Sequence, residues 1–140
     1  MQARRTFLNG GRVSVGKELA DFRKRFPACV IVAFADLSTG MVLASETRSK
    51  VTQEKLDALC EAAFQGLTGR VPTAILQEFS QDGQLSLNTS VVAHREATQC
   101  FIRAPAPAQE ALCLVFDAPF DLAGVIDAGA SLLDQIMADT

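Results

Sequence analysis

One stretch constrains this chain more than any other. Seven consecutive apolar residues, Cys29 to Ala35, run into Asp36-Leu37-Ser38-Thr39-Gly40, and a second apolar segment, Met41–Ser45, follows at once. The run is too short to span a membrane and has no 3.6-residue alternation. Its β-branched Val30, Ile31 and Val32 beside Phe34 favour a strand buried on both faces. Asp36, Ser38 and Gly40 supply turn chemistry, the glycine being free to take a positive φ. The stretch therefore reads as an antiparallel hairpin with a loop of about five residues, expected at the centre of a sheet. None of its residues is a recognisable catalytic group.

Composition narrows the field. At 140 residues the expectation is one domain, long enough to bury a core without metals or disulfides. Apolar residues make up 49% and charged residues 21%, which suits a folded globule rather than a disordered chain. The formal charge of −3 argues against nucleic acid as a partner. No segment approaches the roughly 20 apolar residues of a transmembrane helix. Trp and Tyr are absent, so neither a tyrosine acid nor an indole stacking platform is available. Cys29, Cys60, Cys100 and Cys113 lie far apart inside apolar segments, without a C-x-x-C pair. They read as buried core thiols, and a cytoplasmic location is expected.

Residues 1–15 differ in composition and are expected to form a flexible tail, with one domain over 16–138. Two look-alikes fall here. Arg4-Arg5-Thr6-Phe7-Leu8 resembles a twin-arginine signal but runs into Gly10, Gly11, Arg12 and Lys17 instead of an apolar segment. Gly11-x-x-x-x-Gly16-Lys17 resembles a phosphate-binding loop, yet Glu18 stands where Ser or Thr would hold magnesium, and no strand precedes it.

Ser14 is placed to cap a first helix with its body at Lys17–Phe26, where Leu19, Phe22 and Phe26 share a face. Arg23, Lys24 and Arg25 complement the helix dipole at its end, and Pro27 stops it. Thr52 opens a second helix with Val51 and Leu56 set as a hydrophobic staple. Its apolar face is Leu56, Leu59, Cys60, Ala63, Phe64 and Leu67, and it should end near Gly66 or Gly69. Arg70–Leu87 fits either a short helix begun by Pro72, with Ile75, Leu76 and Phe79, or a strand turned at Asp82-Gly83; the helix is preferred. Two strands should follow around a tight turn near Glu96-Ala97, with Ala93 and Cys100 on one face and Val92 and Phe101 on the other. Ala111–Phe116 is a further strand of the doubly buried kind. Asp117 and Pro119 should begin the last helix, in which Leu122, Val125, Ile126, Gly129, Leu132, Leu133 and Ile136 hold helical spacing. Its small residues Ala123, Gly124, Ala128, Gly129 and Ala130 would let it approach the sheet closely.

Catalytic chemistry finds no support. His94 is the sole histidine, and the expected hairpin sets it on the opposite face from Cys100, out of reach for a thiol–imidazole pair. One histidine and scattered cysteines lack metal-ligand spacing. The carboxylates form no pair with unequal surroundings. Asn88-Thr89-Ser90 is a glycosylation sequon that matters only in a secreted protein. No catalytic, cofactor-binding or metal-binding residue is assigned, and no cofactor is expected.

Helix, two strands, helix, three strands, helix is the resulting order. Strands apolar on both faces need helices on both sides of one antiparallel sheet. The second helix should cover one face, the first and last helices the other. Val30–Phe34, the Asp36–Gly40 turn, Met41–Ser45, the Leu56–Leu67 helix and the Ala111–Phe116 strand leading into Asp117–Ile136 resemble the roadblock / dynein light chain family. The likeness spans Lys17 to Ile136 and departs at Arg70–Leu87, which is longer than the family's usual link. It implies an α/β fold, an αββαβββα three-layer sandwich around a five-stranded antiparallel sheet of profilin-like architecture. It also implies a non-enzymatic regulatory or scaffolding domain that forms homodimers by pairing third strands edge to edge while the second helices meet. Bacterial members of the family are associated with Ras-like GTPases. By position, the interface would be Asn88, Ser90, Val91, Val92 and His94, with Gln53, Asp57 and Glu61 on the exposed side of the second helix. The alternative is a small-molecule sensor domain of profilin-like or PAS-like build, holding a ligand between sheet and helix.

Overall fold

Alternation along the strands divides the interior into two cores. The computed structural model describes residues 12–80 and 87–139. Their elements are α1 (Arg12–Arg25), β1 (Cys29–Asp36), β2 (Met41–Thr47), α2 (Gln53–Thr68), α3 (Arg70–Phe79), β3 (Thr89–Ala93), β4 (Thr98–Arg103), β5 (Glu110–Phe116) and α4 (Leu122–Ala138). The strands form one antiparallel sheet in the order β2-β1-β5-β4-β3. Val32 and Phe34 of β1, Cys100 and Ile102 of β4, and Leu112, Leu114 and Phe116 of β5 turn to one face, where Val15, Leu19 and Phe22 of α1 and Val125, Leu132, Leu133 and Ile136 of α4 cover them. The residues between them, Ala33, Ala35, Phe101, Ala111 and Cys113, turn to the other and meet Leu59, Cys60, Ala63 and Leu67 of α2. This is the expected three-layer α/β sandwich with the expected division of helices, extended by α3.

The hairpin is not at the middle of the sheet. β5 holds that place, paired with β1 on one side and β4 on the other, and β2 is an edge strand. The physical reason lies in the two sequences. Ala111–Phe116 is apolar at every position and tolerates burial on both faces, whereas β2 ends in Ser45, Glu46 and Thr47, which keep partial access to water. Within the hairpin, Gly40 takes φ +73° as its position demands. Asp36 is only 2% exposed, and its Oδ1 accepts the Ser38 backbone N–H at 2.9 Å and the Ser38 hydroxyl at 2.7 Å. The Leu37 N–H donates to the Gln109 carbonyl at 2.9 Å, tying the loop to the approach of β5. The register between β1 and β2 skips Leu43, a bulge that lets Leu43 and Ala44 both pack towards the α1 side.

The helices differ from the sequence expectation mainly at their starts. α1 begins at Arg12, so Ser14 lies inside the helix and does not cap it. The sequence expectation puts the tail through residue 15, but residues 12–15 belong to α1 and Val15 is fully buried in the core; residues 1–11, with the twin-arginine look-alike, lie outside the described residues. Gly16 and Lys17 of the phosphate-loop look-alike are helical, which removes the loop that chemistry requires. α2 is capped as expected: Thr52 Oγ1 accepts the Lys55 N–H at 3.2 Å, and the helix stops at Gly69. Phe64, placed with its buried face, is 39% exposed, because it lies about 80° around the wheel from Leu56. Arg70–Phe79 is helical, as preferred, and the Asp82-Gly83 turn lies outside the described residues. α4 begins at Leu122, not at Asp117. The intervening segment turns the chain off β5 with Phe120 stacked on Phe116, their centroids 3.9 Å apart. Of the small residues in α4, Gly129 makes the close approach. A Cβ there would come within 2.4 Å of Ile102 Cδ1.

Gly40→Ala should cost about 1 kcal/mol in denaturant unfolding, and Gly40→Asn less, since only the left-handed backbone at this position is at issue. A second expectation concerns Glu18, whose carboxyl is pushed above its usual 4.5 by burial, with Asp139 and Asp21 adding to the effect. The folded state thus holds this proton more tightly than the unfolded chain. Ionising Glu18 costs stability as pH rises through the folded value, and the cost is absent below the ordinary value. Glu18→Gln should raise the melting temperature by roughly 1–2 °C at pH 7 and leave it unchanged near pH 3.

Candidate functional site

Layering runs out at β3. The strand pairs with β4 through Thr89↔Ile102, Ser90↔Phe101, Val91↔Cys100, Val92↔Gln99 and Ala93↔Thr98, and among the described residues no strand lies on its other side. Thr89, Val91 and Ala93 therefore lie on the α1/α4 face, and Ser90 and Val92 on the α2 face. Val91 is 42% exposed and Val92 36%, so apolar side chains reach water from both faces of one strand. A five-residue edge strand with such a surface is an open template for pairing. The turn that ends it is centred on Arg95-Glu96, one residue earlier than expected, with the His94 N–H donating to the Ala97 carbonyl at 2.8 Å.

The other residues proposed for this surface occupy distinct places. Asn88 is exposed just before β3, and its carbonyl accepts the Arg103 N–H at 2.8 Å. His94 is exposed at the turn, its Nε2 3.3 Å from Gln99 Oε1. The register puts it on the α2 face and Cys100 on the other, so the two share no chemistry. Ser90 sits under α2: a Cβ built on Gly66 would come within 2.9 Å of its Oγ. Gln53, Asp57 and Glu61 are exposed along α2, where Gln53 Nε2 donates to Asp57 Oδ1 at 2.9 Å and Gln65 Nε2 donates to Glu61 Oε1 at 3.0 Å.

Those three polar residues do not gather at the β3 edge. Gln53 lines a cleft with Val42–Ser45 of β2, at the opposite edge of the sheet. The flank of α2 that meets β3 is the one bearing Gly66, with Ala62 one turn before it. Sequence reasoning passed over this flank because alanine and glycine carry no recognition chemistry. Also missed were the exposed apolar residues beyond it: Phe64, and on α3 Val71, Ile75 and Phe79, which are 69%, 51% and 71% exposed. Their signal was present as a spacing of four, but periodicity cannot say which helical stripe faces the core.

Among the described residues no three of His, Cys, Asp or Glu come together as a metal site. Burial pushes the thiols up, that of Cys29 to about 12 and that of Cys100 to about 11, and raises Cys60 and Cys113 as well. All four cysteines are buried and unpaired in disulfides. A thiol held neutral is a poor nucleophile. Ellman's reagent should consequently react far more slowly with the native chain than with the chain in guanidinium chloride, where all four thiols of the sequence should titrate.

Among the described residues no helix is long and apolar enough to cross a membrane. No protein-family model and no curated protein matches the chain. Solved structures do. A Roadblock/LC7 domain from Streptomyces avermitilis superposes with a TM-score of 0.73 at 14% identity, over 88% of this chain and 94% of that one. The gliding protein MglB from Thermus thermophilus gives 0.69 at 17% identity, over 94% of both chains. A structure of MglB in a tetrameric arrangement gives 0.70 at 17% identity, again over 94% of both. Three layers, the strand order and these superpositions lead to one conclusion: the chain has the Roadblock/LC7 fold.

Proposed function

We propose that this chain is a homodimeric, non-enzymatic interaction domain of the roadblock family, which pairs through its β3 edge and serves a small Ras-like GTPase or similar switch protein as a regulatory partner. The observation that carries this reading is β3 itself. Its Val91 and Val92 are exposed on opposite faces, so both layers of the sandwich are left incomplete at this edge. A second copy related by a two-fold axis would complete both at once, continuing the sheet and bringing its own helices alongside. The opposite edge is less in need of cover, because α1 packs across β2.

The partner class rests on the resemblance of the Val30–Ser45 hairpin and its D-x-x-x-G turn to a family whose bacterial members are associated with Ras-like GTPases. Likeness to MglB structures is in keeping with it, and one of those proteins is described in a tetrameric arrangement. Buried, unpaired cysteines suit a reducing cytoplasm. A ligand-holding sensor would need room between sheet and helix. In that layer Ala33, Ala35, Ala111 and Cys113 instead pack directly on Leu59, Cys60 and Ala63.

Sedimentation velocity at micromolar concentration should find a dimer. Val92→Lys should shift it to monomer, since two added charges would have to be desolvated together at the seam. A strict monomer, unaffected by Val92→Lys, overturns the dimer. Recovery of the tagged chain from its native cells should bring down a Ras-like GTPase, and repeated recovery without one overturns the partner assignment.

A further inference from the structure

Two clefts open along β3, one at each end of the strand, and both lie on its α4 face. The first, of about 460 Å³, is walled by Asn88 and Thr89 at the start of β3, by Ile102 of β4, and by Ile126, Leu133 and Asp134 of α4. The second, of about 470 Å³, takes in Val91 of β3, Arg95 and Glu96 of the turn after it, and Phe116, Phe120 and Leu122 on the approach to α4. Ile102 and Phe116 belong to the core beneath α4, which fixes the common face. Arg95 and Asp134 are both exposed. Among the described residues neither forms an ion pair within its own chain. Arg103, the other charged residue of the first cleft, already donates through Nη2 to Gln109 Oε1 at 3.3 Å. In the turn, Arg95 continues the alternation that puts Val91 and Ala93 on this face.

We infer that each copy in the dimer seats its β3–β4 turn in the first cleft of the other, Arg95 pairing with the second copy's Asp134, so that two such contacts flank the β3 seam. The inference deepens the dimer reading above and rests on it. It follows from register. Every pair in the sheet is antiparallel. A second β3 added in the same sense by a two-fold axis keeps its α4 layer on the same side of the sheet. Pairing all five residues of the strand puts Val91 on the axis and Thr89 opposite the second copy's Ala93. One and two steps farther, the second copy's His94 and Arg95 come opposite Asn88 and Leu87, where the first cleft opens. Strands lie about 4.8 Å apart, so the turn stands beside that opening, on the face that holds Asp134. The axis repeats the contact, and unlike charges meet at both. A parallel partner strand would reverse its faces and bring its Arg95 beside the first copy's Arg95, away from Asp134. An exposed ion pair adds little affinity, but like charges in its place are costly. The contact therefore selects one register for a short, uncharged strand that could otherwise slip.

Charge reversal in the full chain, read by sedimentation velocity, tests this. Arg95→Glu and Asp134→Arg alter only exposed side chains and should leave the circular dichroism spectrum unchanged. Each should nevertheless weaken its own dimer about tenfold or more, because like charges then meet twice. Mixing the two variants should restore a dimer of native strength, since in the mixed pair each contact again joins one acid and one base. Either variant dimerising as tightly as the native chain, or a mixture that does not associate, overturns the inference. The β3 reading then stands if Val92→Lys still dissociates the dimer. Recovery in the Arg95→Glu/Asp134→Arg double variant but not in the mixture also overturns the inference, by placing the pair inside one chain. A native chain that stays monomeric overturns both readings.

Discussion

Everything in this molecule is organised by the burial of β5 between two antiparallel neighbours and two layers of helix. Ala111, Leu112, Cys113, Leu114 and Phe116 are 1% exposed or less, and they alternate between cores of different character. Towards α1 and α4 the sheet presents Phe34, Leu112, Leu114 and Phe116, a deep layer of large side chains. Towards α2 its buried strand residues are mainly alanine and cysteine with Phe101, and Ile31, Val42 and Val115 are partly buried at the margin. Small side chains bring α2 close to the sheet. That closeness explains why Gly66 lies against Ser90 and why a bulkier residue there would lift the helix from the β3 edge.

The two-layer arrangement weakens outward from β5. β4 is still buried at Cys100, Phe101 and Ile102, but β3 is partly or fully exposed at every position. A sheet of this build ends in a strand that has helix cover but no neighbour, which natural proteins blunt with charge, bulges or a partner. β3 has no charged residue and no register shift, so neither of those two devices blunts it. On α3, Val71, Ile75 and Phe79 are exposed as well.

Much of this was legible in the residues. The doubly apolar runs at Cys29–Ala35 and Ala111–Phe116 require cover on both faces, and the D-x-x-x-G loop dictates a left-handed glycine. Thr52 marks the start of α2 by cap chemistry, whereas its end could be read only as Gly66 or Gly69. The alternation of Val92 and Phe101 against Ala93 and Cys100 is a consequence of period two and survives a one-residue displacement of the turn. The separation of His94 from Cys100 follows from it. The candidate site was legible only in part. Its exposed valines could be placed on an edge by resemblance, but Gln53, Asp57 and Glu61 could be placed only on a helix, with no direction relative to the sheet.

Local pattern, then, determined element type and the two-faced burial of the strands, because these depend on neighbours in sequence. Tertiary structure decided which strand lies at the centre, since β5 has to pair with β1 and with β4 at once, two strands distant from each other in sequence. It also decided that Gly129 would be the contact point of α4, through the reach of Ile102, a residue distant in sequence. Most consequentially, it decided that the apolar stripe of α3 faces outward. Periodicity states only that Val71, Ile75 and Phe79 share a side, and the corner at Gly69 determines where that side points.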